Sequence, residues 1–172
     1  MLTLCEVKQH LRIESDAYDE DDLIQNLIDA GYNFAENYTN QVVAQSVKTL
    51  NLDTFPEIIV LPEFPVISVD SIAYKDAGGV DQTFSDYYLN NKTLVATIEP
   101  IDVFPETDGT RDNILITYTC GFSEIPKTID QAVLLIVGSL YEQRENHVLG
   151  VQINAVPVSA EYLLTPYRVY AT

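Results

Sequence analysis

Residues 1–40, MLTLCEVKQHLRIESDAYDEDDLIQNLIDAGYNFAENYTN, set the fold class. Leu4, Val7 and Leu11 recur at i, i+3 and i+7, a narrow apolar stripe that predicts a short helix over residues 3–12. Thr3 followed by Glu6 has the form of a capping box, in which each side chain satisfies an orphan backbone donor of the other. Six carboxylates lie between Glu14 and Asp22, and the last of them open a second helix over residues 20–39. Along it Ile24, Leu27, Ile28, Gly31, Phe34, Ala35 and Tyr38 trace one face, and Asn40 suits a left-handed cap.

Beyond residue 40 the period changes. From about 45 to 121 the pattern is strand-like and punctuated by Gly, Pro, Asn and Asp. Ile114, Ile116, Tyr118 and Cys120 form the clearest half-buried strand, and Leu94, Ala96 and Ile98 alternate in the same way. Ile67 and Val69 fall out of phase with Ile72 and Tyr74, which makes Asp70–Ser71 a bulge candidate. Asp76 to Gly79 reads as a hairpin turn with Val80 to Phe84 returning, and Phe104 to Asp112 reads as a loop. Residues 126–146, PKTIDQAVLLIVGSLYEQREN, return to helical period. Ile129, Ala132, Val133, Ile136, Val137 and Leu140 mark a core face, which Leu134 and Leu135 widen beyond one side.

Helices at both ends and strands grouped between them exclude repeated βαβ units. The expected fold is α+β: terminal helices packed together, an antiparallel β unit inserted in the chain between them, and an extended C-terminal tail. One domain over residues 1–147 and a tail over 148–172 follow. That tail is rich in exposed-looking apolar groups, so it either folds back or docks on a partner. On the docking reading, removing residues 148–172 leaves a folded domain.

The net charge of −17 is uneven: residues 1–40 carry nine acids against two bases, residues 41–121 twelve against four, and residues 122–172 five against three. Phosphate contacts need clustered Lys and Arg, so nucleic-acid binding is disfavoured. The longest apolar run, Ala132 to Val137, is far short of the roughly 20 residues of a membrane span, and no secretory signal is visible. A soluble protein made in a cytoplasm is the expectation. Cys5 and Cys120 match no metal spacing and read as two small buried hydrophobes. The acidic loop lacks the central glycine of a calcium loop, and acids at a helix start are explained by its dipole. With no phosphate loop, nucleophile elbow or His-rich motif, the chain reads as no enzyme, with neither cofactor nor metal.

The short helix, the acidic start and the long helix ending in Glu36-Asn37-Tyr38-Thr39 resemble the opening of the head–tail connector (adaptor) proteins of long-tailed bacteriophages, also found in prophages. The resemblance continues in the later helix, closing on Tyr141-Glu142-Gln143-Arg144-Glu145, and in Leu163-Leu164-Thr165-Pro166-Tyr167-Arg168. It implies a non-enzymatic virion protein that leaves the host bacterial cytoplasm for the head–tail junction. It further implies a homo-oligomeric ring, about twelve-fold like the portal, that joins the portal of the DNA-filled head to a tail-side completion protein. DNA would pass through only as cargo.

Candidate oligomer and partner residues are Leu134, Leu135, Tyr141, Arg144, Leu163, Leu164, Tyr167 and Arg168. For Arg144, intersubunit pairs and plain solvated ion pairs both fit its neighbours Glu142 and Glu145. For Arg168 the aromatic setting has the composition of an interface core, against a tail that caps its own helices. Mutual repulsion of copies at −17 argues for a monomer when free, with assembly driven by the portal or by high salt. The alternative reading is an acidic decoy or immunity-type protein that binds a basic nuclease or DNA-binding protein.

Overall fold

A computed structural model describes residues 1–14, 17–93, 95–142 and 157–170. The chain divides into two compact units, Met1–Val43 with Glu124–Thr172, and Ala44–Ser123.

The first unit is helical. Helix α1 (Leu4–Leu11) begins at Thr3, whose hydroxyl accepts from the Glu6 amide while the Glu6 carboxylate accepts from the Thr3 amide, so the capping box is formed. Those bonds to Thr3 hold the Glu6 carboxyl below its ordinary pKa. Helix α2 (Asp21–Thr39) buries Ile24, Ile28, Gly31, Tyr32, Ala35 and Thr39, and ends on Asn40 in the left-handed region, φ 54°. Helix α3 (Lys127–Glu142) packs against it. A Cβ on Gly31 would stand 2.9 Å from a Val133 methyl, so glycine is what lets the Val133 side chain pack directly on the α2 backbone.

The segment expected as an extended tail is, over its described residues, a short helix α4 (Val158–Leu164) followed by a 3-10 turn at Thr165–Tyr167. Ala160 and Leu164 are fully buried, and α4 packs on α3 and α2. The Val169 amide donates to the Thr39 carbonyl at 2.8 Å, and the Asn40 side-chain amide donates to the Val169 carbonyl at 2.8 Å. The tail therefore satisfies a carbonyl that the last turn of α2 would otherwise leave orphaned.

The second unit is antiparallel β. Its strands are β1 (Ser46–Leu52), β2 (Ile59–Val60), β3 (Val66–Lys75), β4 (Asp81–Thr83), β5 (Tyr87–Asn90), β6 (Thr97–Pro100) and β7 (Ile114–Cys120). They form sheets of order β1-β7-β3-β4 and β2-β6-β5. Strand β7 lies between β1 and β3 and buries Ile114, Ile116, Tyr118 and Cys120, the alternation its sequence shows. The register of β3 on β7 slips between Val69 and Ser71, so the bulge stands at Asp70, and a second slip falls at Ile67. The Asp76 turn forms as expected. Its carboxylate accepts from the Val80 and Gly78 amides; the Val80 bond above all, then that of Gln82, holds its pKa down, and Gly79 takes φ +77°. Strand β5 had no expectation, because DYYLNN buries only Tyr87 and Leu89, and those only in part.

Candidate functional site

The helical unit is built around a few buried polar contacts that position its surface. Lys8 is 3% exposed, and its ammonium donates to the Ala17 carbonyl at 2.7 Å and pairs with Asp21 at 2.5 Å. The Tyr18 ring lies 5.0 Å from the same nitrogen. Ala17, Tyr18 and Asp21 thus surround one buried cation at the start of α2. Among the described residues no group of three His, Cys, Asp or Glu side chains could hold a metal ion.

Tyr32 ties α2 to α3 and to the residues ahead of α1: its hydroxyl donates to Asp130 Oδ1 at 2.6 Å and accepts from the Leu2 amide at 2.8 Å. Burial, reinforced by the hydrogen bond to Asp130, pushes the phenol far above its ordinary value of 10.0. A raised acid favours the neutral form in the folded state. Its contribution is therefore complete below the unfolded pKa near 10 and is lost as pH rises above it. Tyr32→Phe is expected to cost about 1–3 kcal/mol at neutral pH, because Asp130 keeps its burial and loses a donor. It should also make the fall in melting temperature between about pH 8 and about pH 11 shallower. An unchanged alkaline slope in the variant would place the titration on other tyrosines.

The proposed partner residues separate into three groups. Leu134, Leu135 and Tyr141 are half-buried on α3, and the Tyr141 hydroxyl donates to the Glu20 carboxylate. Leu164 is fully buried, because α4 turns it into the unit's own core; within one protomer it is not offered to a partner. Leu163 and Tyr167 are half-buried and Arg168 is exposed. Arg144 lies outside the described residues. Cys5 differs from expectation as well: it is exposed, standing off the side of α1 that buries Val7 and Lys8, whereas Cys120 is buried in β7.

Arg168 is the residue the fold sets up as a surface feature. Its guanidinium lies 4.9 Å from the Tyr38 ring centroid and 5.2 Å from that of Tyr170. Phe34 stacks on Tyr38 at 6.0 Å, and the Tyr38 hydroxyl is 3.2 Å from that of Thr165. Tyr162 and Tyr170 are 74% and 68% exposed. Two rings flank one exposed cation, an arrangement suited to carboxylates or carbonyls of a protein partner. Tyr38 was missed as a member of this patch. It stands 130 residues from Arg168, and along α2 it reads only as one more apolar position.

A family model described as "Head completion protein" matches residues 1–169. No curated protein matches the chain. Solved structures similar to it include a chain of "Neck of empty GTA particle computed with C6 symmetry", 23% identical with a TM-score of 0.76, covering 99% of this chain and 91% of that one. A chain of "Virion of native gene transfer agent (GTA) particle" is 24% identical with a TM-score of 0.76 over the same shares. A chain of "Neck of native GTA particle computed with C12 symmetry" is 21% identical with a TM-score of 0.68, covering 98% and 89%. At these identities the likenesses establish the fold. None of the comparisons supports the acidic-decoy alternative.

Proposed function

Because the chain belongs to the head completion protein family, we propose that it works as a ring of about twelve copies between the portal of a DNA-filled head and a tail-side completion protein. The family match over residues 1–169 carries this reading, and the similar fold of a chain in a particle neck computed with C12 symmetry supports the copy number. The role is structural and not catalytic. A net charge of −17 suits a wall past which DNA moves as cargo, since phosphate-binding cations are scarce on it.

Ring closure needs heterologous contacts, with two different patches on each protomer. The half-buried Leu134, Leu135 and Tyr141 on α3 supply a candidate for one of them. We assign the patch of Arg168 with Tyr38 and Tyr170 to the portal contact. DNA-filled heads made without this protein test the assignment. Wild type is expected to bind them, and Arg168→Glu to bind roughly 30-fold more weakly, the size of a 2 kcal/mol hot spot. Arg168 is exposed, so the variant should lose no more than its two ring contacts are worth, about 1–2 kcal/mol, and stay folded. Equal binding by a folded variant would remove the patch from the portal contact.

A further inference from the structure

The β unit carries an open cleft of about 500 Å³ between residues 54–57 and 100–107. Its wall is aromatic: Phe55 and Phe104 stack at 4.6 Å with only 4° between their planes, backed by Phe84 and Tyr74. Val103 projects at its mouth, 78% exposed. Glu57, Asp102 and Glu106 are exposed lining residues, and no Lys, Arg or His stands among the described residues that line it. None of the three carboxylates belongs to an ion pair among the described residues. Pro56, Pro100 and Pro105 fix the backbone on both sides, which lowers the conformational cost of closing on a ligand.

An apolar wall with a carboxylate rim is complementary to side chains that combine an aliphatic stem with a cationic head. We propose that this cleft is a docking site for a basic segment of a different protein, with arginine or lysine interleaved with apolar residues. The site is distinct from the α3 and Arg168 patches, because it lies in the β unit and none of the residues of those patches lines it. Nucleic acid is excluded by the sign of the rim. A second copy of this chain is a poor occupant: apart from Lys8 and Arg12, successive Lys and Arg residues stand at least 16 positions apart, and Lys8 is buried. No stretch of the chain therefore presents two exposed bases side by side in an extended segment.

The test uses full-length protein and a fluorescent peptide of sequence Gly-Leu-Arg-Val-Arg-Leu-Gly, with a second peptide carrying glutamine at both arginines. Fluorescence anisotropy is expected to show saturable binding of the arginine peptide and none of the glutamine peptide. The triple variant Glu57→Gln, Asp102→Asn, Glu106→Gln should bind about tenfold more weakly, three exposed charge contacts acting together. The variant Glu14→Gln, Asp19→Asn, Glu142→Gln loses the same charge elsewhere and should bind within about twofold of wild type. Equal weakening by both variants would mean that the peptide follows overall charge, and would overturn the proposal. So would absence of saturable binding at about 1 mM peptide, the weak end of specific recognition.

Discussion

Leu164→Ala is expected to destabilise the helical unit by about 2–5 kcal/mol, the range for truncating a fully buried leucine where the surroundings cannot collapse into the space. Leu163→Ala, one position away and only half-buried, should cost clearly less. The contrast within one Leu-Leu pair separates packing from composition. Ending the chain at residue 156 is the stronger form of the same test. It removes Leu164, Ala160 and Val169 from the core and deprives the Thr39 carbonyl of its donor. Urea unfolding followed by circular dichroism should show the truncated helical unit unfolded or marginal. A truncated chain with the wild-type midpoint would restore the reading of residues 148–172 as a detachable docking arm.

The second large effect is expected at Gly121, immediately after β7. Its φ of +110° is one that side-chain-bearing residues rarely adopt. A Cβ there would also meet the Ala44 carbonyl oxygen at 2.6 Å and the Gln45 Cα at 2.8 Å. Both are backbone atoms, so no rotamer change relieves the contact. The Gly121 amide also donates to the Pro65 carbonyl at 2.8 Å, which ties the position to a second segment. Strain alone costs about 1–3 kcal/mol, and the clash adds to it, so Gly121→Ala should lose about 3 kcal/mol or more. Gly79→Ala provides the comparison. Its φ is +77° but nothing lies within 4 Å of the added carbon, so only the conformational part, about 1 kcal/mol, should appear. Equal losses at the two glycines would show that the Ala44 segment moves aside freely.

These expectations mark a division between periodic and contact information. The capping box at Thr3 and Glu6, the left-handed Asn40, the bulge at Asp70 and the buried alternation of β7 are local: each follows from the chemistry of residues within a few positions of one another. The order of helix, acidic loop, helix, β segment and helix is local in the same sense, and it carried both the α+β class and the family. β5 escaped because four residues with two half-buried positions give too short a period to separate from a turn.

The candidate surfaces were legible only as composition. An apolar, aromatic C-terminal stretch is equally compatible with docking on a partner and with packing on its own helices, since both bury the same area. Which residue does which depended on α4 turning Leu164 inward and leaving Arg168 outside, where Tyr38 and Tyr170 flank it. The cleft rimmed by Glu57, Asp102 and Glu106 is of the same kind, for its two walls are more than 40 residues apart in the chain. Short-range periodicity thus determined the elements and their class. Side chains far apart in sequence met only through tertiary packing, and that packing decided which groups stayed on the surface to meet another molecule.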